Sequence, residues 1–224
     1  MASAIGVPGS EKYKSATVGN PYLASVVQVD GRGPLGGGEG TGWSVQSTAN
    51  KVFIITNNHV IKGFNEFSVT YQFEAFGSLT RKVSKDVKII GKDPANDLAL
   101  LEVGTEHEIK PLPLRATTEG LVLPMKLTMI GHPHGLDFTV MWGELDNLNR
   151  VYEGSRHLQI NSNADCGMSG GPVIDENGFV IGVTVAKLGS LGQSIAIISE
   201  RVRDLCAKYG INLELKKAGP PAAK

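Results

Sequence analysis

The sequence predicts an all-β fold of short antiparallel strands in two halves, followed by one helix. Three observations carry this. Short runs rich in β-branched residues alternate with turn signals, the pattern of barrels and sandwiches. The 28 glycines accompany only 6% aromatic residues, which suits many tight connections. One stretch near the C-terminus carries helical periodicity.

In the first half, candidate strands cover 23–30, 42–46, 52–56, 67–73, 81–86 and 98–103. In the second they cover 126–131, 139–144, 157–160, 173–175, 180–186 and 194–197. Between the two sets of six, residues 104–122 contain Pro111, Pro113 and Gly120 and read as a linker. Asn177-Gly178 signals a hairpin of type I′, whose central residues need positive φ. Gly31 to Gly40, with six glycines besides Pro34, reads as a flexible surface loop; it lacks the Lys-Ser/Thr pair of a phosphate cradle. Ser199 is placed to cap a helix on which Val202, Leu205, Cys206 and Tyr209 share one face, with Gly210 as its stop. The expected units are a mobile segment 1–18, halves 19–112 and 113–198, the helix 199–210, and a mobile tail 211–224.

The 224 residues are 41% hydrophobic, enough for one large or two small cores. Lys+Arg and Asp+Glu are both 22, so no excess positive charge points to nucleic acid or acidic lipid as a partner. The first twenty residues hold no apolar run of signal-peptide length, and no stretch approaches a membrane span. Two cysteines, Cys166 and Cys206, make no disulfide framework, which favours reduced thiols and a cytoplasmic setting. Oligomeric state does not follow from the sequence.

The chemistry concentrates in Asn163-Ala164-Asp165-Cys166-Gly167-Met168-Ser169-Gly170-Gly171-Pro172. Glycines around Ser169 permit a sharp turn and keep side chains off its oxygen. The amides of Gly167 and Ser169 are the candidate oxyanion hole for a carbonyl attacked by that serine. A seryl nucleophile needs a base and a group that orients the base. His59, in Thr56-Asn57-Asn58-His59-Val60, and Asp97, in Asn96-Asp97-Leu98-Ala99-Leu100-Leu101, are the candidates. Their chain order, His then Asp then Ser, is that of chymotrypsin rather than subtilisin or the α/β-hydrolases.

With those segments the chain resembles the trypsin/chymotrypsin-like serine proteases, and among them the Deg/HtrA-type protease domain. Further matching pieces are Gly40-Thr41-Gly42-Trp43, Ile130-Gly131-His132-Pro133-His134-Gly135-Leu136 and Gln193-Ser194-Ile195-Ala196-Ile197-Ile198. The resemblance implies two six-stranded antiparallel β-barrels with the site in the groove between them, and hydrolysis of polypeptide substrates without a cofactor. It also implies a primary pocket walled by 161–164, 184–186 and 194–196, with Asn163, Ala164, Thr184, Val185 and Ala186 binding substrate. No acid stands in those segments, so a small or medium uncharged residue before the cut, such as Ala, Val, Leu or Thr, is expected over Lys or Arg. The backbone of 184–187 is expected to pair with the substrate as an added strand. Met168 replaces the Asp or Asn usual in the family, so no ion pair with a new amino terminus is available. Cys166 replaces a common proline, which leaves the resting geometry of the oxyanion loop open. The peptide-binding domain typical of Deg/HtrA proteins is not expected within these 224 residues.

Other readings of the same residues differ in kind. His132 and His134 have the look of a metal pair, but no third ligand cluster accompanies them, and the expectation is no metal. The fold could serve as a catalytically silent peptide-binding module, a reading that the presence of all three catalytic residue types opposes. The same chemistry also serves viral polyprotein processing. Cys166 reads as a packing residue or a redox-sensitive thiol, and Cys206 as core.

Overall fold

The computed structural model of the chain describes residues 20–75, 78–133, 138–188 and 192–216. Segment 1–18 and tail residues 217–224 lie outside the described residues.

The first half forms β1 (Val26–Gly33), β2 (Gly36–Ser47), β3 (Lys51–Asn57), β4 (Glu66–Ala75), β5 (Ser78–Ser84), β6 (Val87–Asp93) and β7 (Leu98–Gly104). They make one seven-stranded sheet in the order β5-β4-β1-β2-β3-β7-β6. Six strands were expected here. The additional one is β6, whose Lys88 and Lys92 face outward and mask its pattern, and whose ladder is irregular between Ile89 and Gly91. Gly91 sits there because the Tyr209 ring lies where a side chain would be.

The stretch Gly31–Gly40 is not a free loop. Gly31↔Gly38 and Gly33↔Gly36 are paired positions of the β1–β2 hairpin. A Cβ on Gly31 or Gly38 would fall 2.4 Å or 2.8 Å from ring carbons of Phe64, so the glycines let that ring cover the ribbon.

In the second half, β8 (Leu114–Arg115), β9 (Met125–Gly131), β10 (Thr139–Tyr152), β11 (Ser155–Asn161), β12 (Pro172–Asp175), β13 (Val180–Leu188) and β14 (Gln193–Ile198) precede helix α2 (Ser199–Lys208) and β15 (Leu215–Lys216); a short helix, α1 (Asn58–Ile61), belongs to the first half. The order is β12-β9-β10-β11-β14-β13-β8-β15, and a further β12–β13 pairing closes six of these strands into a barrel. Closure removes the unpaired edges of those six. The β8 strand extends β13, and β15 extends β8, both in parallel. The fold is therefore chymotrypsin-like, mostly β, with one C-terminal helix.

Local expectations were met unevenly. Gly178 has φ +83°, but Asn177 has no positive φ, so the turn is not type I′. Asp175 builds it instead, its Oδ1 accepting the amides of Asn177 and Phe179. Ser199 does not cap α2: Ile198 is the N-cap residue, and the Ser199 hydroxyl meets Glu200. Gly210 does end α2, at φ +69°, with Ile211 N bonded to Cys206 O and Gly210 N to Ala207 O. Residues 211–216, expected in the tail, instead pack Ile211 and Leu213 on the core and pair Leu215 with Leu114.

The expected linker is anchored as well. Ile109, Leu112, Leu114 and Leu121 are buried, and Glu200 Oε1 accepts Thr118 N (2.7 Å), Thr118 Oγ1 (2.7 Å) and Thr117 Oγ1 (3.1 Å). Three apolar clusters form among the described residues. One fills the first sheet around Val29, Ile54 and Leu101, and another fills the second barrel around Met129, Leu158 and Met168. The third lies between them and joins Trp43 and Leu100 to Val183, Ile197 and the buried face of α2. That central cluster fixes one half against the other, which is the condition for a site shared between them.

Candidate active site

Register explains why His59 and Asp97 meet. In the β3–β7 ladder Asn57 lies opposite Leu98, so the residues just past one strand and just before the other are neighbours. His59 stands in α1, directly after β3. Asp97 closes a 3-10 turn over Pro94–Asn96 with φ +51°, a left-handed backbone that Asp adopts more readily than most non-glycine residues. Asp93 holds that turn, accepting Asn96 N (3.2 Å) and Asn96 Nδ2 (2.6 Å). The Asp97 carboxylate then makes two contacts with one residue: Oδ2 lies 2.6 Å from His59 Nδ1, and Oδ1 accepts the His59 amide at 2.8 Å. Its backbone oxygen accepts Asn58 N (3.0 Å) and Asn57 Nδ2 (2.9 Å). With a proton on Nδ1, the imidazole is oriented with Nε2 available as a base.

Ser169 lies in the connection between β11 and β12. Thr41 of β2 ties this loop to the first half: its amide donates to Ser169 O (2.8 Å) and its hydroxyl to Gly167 O (2.6 Å), while that hydroxyl accepts His132 N (3.1 Å). Gly170, at φ +88°, must be glycine, since a Cβ there would sit 2.0 Å from Thr41 O. From β13, Thr184 O accepts Gly170 N (2.8 Å), and Thr184 N donates to Gly171 O (2.9 Å). At Gly40 the two halves touch: a Cβ built there would lie 2.6 Å from the side chain of Val60, the neighbour of His59, and 3.2 Å from Ser169 O.

The hydroxyl of Ser169 donates to Val185 O at 2.9 Å, and no Ser169–His59 hydrogen bond occurs among the described residues. The amides of Gly167 and Ser169 have no acceptor among the described residues, whereas Met168 N is occupied by Asp165 O (3.0 Å). Met168 is fully buried in the second-barrel cluster.

Beside Ser169 opens a cavity of about 240 Å³ whose wall includes Ala164, Thr184 and Val185, as sequence reasoning placed them. Asn163 is exposed and does not line it, and Ala186 contributes backbone within β13. Sequence reasoning put no acid in the wall, but Asp165 stands there, with Lys187 and Cys166. Lys187 alternates with Val185 along β13, a signal that was readable. Residues 186–188 pair with β14 on one side, and β12 reaches β13 only as far as Val183, which leaves the second edge of 185–188 unpaired among the described residues.

His132 is buried with its ring edge-on to Phe138, centroids 4.1 Å apart. His134 lies outside the described residues. Among the described residues no group of three or more His, Cys, Asp or Glu side chains is arranged to hold a metal. No helix there is long and apolar enough to cross a membrane.

The sequence profile of the trypsin-like peptidase domain matches residues 40–183. The chain belongs to the trypsin-like serine peptidases. Its curated relatives include proteases of the Deg type. It is 29% identical over 205 residues to the periplasmic serine endoprotease DegP of Escherichia coli, covering 85% of this chain and 41% of that protein. It is 29% identical over 172 residues to Protease Do-like 1, chloroplastic, of Arabidopsis thaliana, covering 73% of this chain and 36% of that one. The chain thus spans about two fifths or less of the length of these two relatives. Among solved structures, Deg5 superposes with TM-score 0.70 at 27% identity, covering 90% of this chain and 98% of that one. The active form of the Rv3671c protease from M. tuberculosis gives TM-score 0.68 at 26% identity, covering 92% and 89%. DegP is a serine endoprotease by name and the Arabidopsis relative a protease, so the family is one of hydrolases.

Proposed function

We propose that the chain is a serine endopeptidase in which Ser169 is the nucleophile, His59 its general base and Asp97 the group that orients the imidazole. The observation that carries this is the Asp97 carboxylate gripping both the ring and the amide of His59 beside a loop that presents a serine next to two unoccupied amides. A substrate laid along the free edge of 185–187 brings its own N–H to Val185 O, the acceptor now held by the Ser169 hydroxyl. Displaced, that hydroxyl turns to His59 Nε2, gives up its proton and attacks the carbonyl. The imidazolium, stabilised by Asp97, passes the proton to the leaving amine. Gly167 N and Ser169 N receive the oxyanion; one such donor is worth about 3–4 kcal/mol of barrier lowering.

A small or medium side chain before the cut is the reading we keep, and the ammonium of Lys187 in the wall argues against Lys or Arg there. The substrate is a polypeptide, and none of these steps asks for a cofactor. The experiment is hydrolysis of an unfolded protein together with labelling by a fluorophosphonate, in the parent chain and in Ser169→Ala. The expected result is cleavage plus one adduct on Ser169, both lost in the variant. A folded protein that does neither is a binding module, and the proposal falls.

A further inference from the structure

The wall of the cavity beside Ser169 contains an unmet polar group. Thr184 is 1% exposed, and its hydroxyl has no hydrogen-bond partner among the described residues. A buried hydroxyl left unpaired is costly, so such a group in a binding cavity points to an absent partner. The Thr184 backbone is fixed to the nucleophile loop at Gly171 O and Gly170 N, which leaves rotation of the side chain as the way its buried hydroxyl meets a ligand in the cavity. The neighbouring hydroxyl offers no relief: Ser194 Oγ donates to Ser162 O (2.6 Å) and accepts Ala164 N (2.9 Å).

A second donor shares the cavity. Lys187 lines it and makes no ion pair among the described residues. The irregular pairing between Thr184 and Ala186 brings both 184 and 187 to one cavity despite the alternation of a strand. The one acid of the wall, Asp165, turns Oδ1 to the amide of Cys166 (2.8 Å).

We propose that this pocket selects a side chain ending in a carboxyl or carboxamide oxygen, Glu, Gln, Asp or Asn before the cut, with the Thr184 hydroxyl and the Lys187 ammonium as donors to that oxygen. The inference rests on the proteolytic reading of Ser169 and names the substrate class of the same site. An apolar side chain of equal size strands the Thr184 hydroxyl in a dry wall, and the discrimination from one such hydrogen bond is about tenfold to a hundredfold.

The test is digestion of a peptide library with each cut mapped by mass spectrometry, followed by kcat/KM on matched peptides bearing Gln, Glu, Leu or Met at that position. Gln and Glu are expected to exceed Leu and Met by about tenfold or more. Thr184→Val shortens that ratio for both oxygen-bearing residues. Lys187→Met shortens it for Glu more than for Gln, so the two variants separate the carboxylate from the carboxamide. Fluorophosphonate labelling of each variant reports that the nucleophile loop is intact. Cleavage that favours Leu, Met, Val, Lys or Arg overturns this inference and leaves the protease standing, as does a Gln or Glu preference that neither variant changes. A chain that cuts no peptide removes the proteolytic reading, and this inference with it.

Discussion

The His59–Asp97 pair and the Ser169 loop are prepared for chemistry to different degrees. The pair is assembled at rest, held by contacts within two adjacent strands and the turns that end them. The loop has its backbone in place through Thr41 and Thr184, but its hydroxyl is spent on Val185 O. On the proposed reading the acid–base half is locally encoded, the nucleophilic half is assembled across the molecule, and the last adjustment is left to substrate. Thr41 and Gly167 are 126 positions apart in sequence, while Asn57 and Leu98 are ladder partners.

This contrast can be broken at either end. Asp97→Asn keeps the size of the side chain but removes the charge that selects the Nδ1–H tautomer, and kcat is expected to fall about ten-thousand-fold with folding retained. A loss below about tenfold would mean that the pair is not the acid–base unit. Thr41→Val removes the hydroxyl that serves Gly167 O and His132 N. The expected cost is about tenfold to a hundredfold in the rate of fluorophosphonate labelling, with the pH midpoint of that rate unchanged because His59 and Asp97 keep their contacts. A shifted midpoint would show that the two halves are not separable.

Thiol chemistry sharpens the comparison further. Cys166 is exposed in the nucleophile loop, whereas burial pushes the Cys206 thiol up to about 12. One thiol per native chain should react with a maleimide near neutral pH, at Cys166, and a second only after unfolding. The smallest effect concerns the join between linker and helix. Burial alone would raise the Glu200 carboxyl, but hydrogen bonds from Thr118 and Thr117 outweigh it and hold the group below its ordinary 4.5. A lowered folded-state value means that stability is present above that pH and is lost as pH falls through the folded value. Glu200→Gln should therefore flatten the acid limb of a melting-temperature profile below about pH 4.5 and lower the plateau above it. An unchanged profile would remove Glu200 from the account.

What was legible in the sequence follows the same division. Ser169, His59 and Asp97 stood out because each sits in a short motif whose glycines or strand ends show in a few residues. The all-β fold showed in the alternation of β-branched runs and turns. The β6 strand did not, because Lys88, Lys92 and Gly91 interrupt its pattern and the Tyr209 ring that covers Gly91 comes from another element. Gly31–Gly40 looked like a loop since nothing local announces Phe64. The hydrogen bond from Ser169 to Val185 and the charge of Asp165 in the cavity wall depend on how β13 meets the loop, which no local pattern encodes, whereas Lys187 stands two places after Val185 on the same strand.

The central claim is that substrate moves one hydroxyl from Val185 to His59 while two waiting amides take the oxyanion. A structure of the chain after reaction with a peptidyl phosphonate tests it most directly. The account predicts phosphorus bonded to Ser169 Oγ, Val185 O released from that oxygen, and a phosphoryl oxygen within about 2.7–3.1 Å of Gly167 N and Ser169 N. An adduct on any other residue, or a Ser169 adduct whose phosphoryl oxygen turns away from both amides, would contradict it.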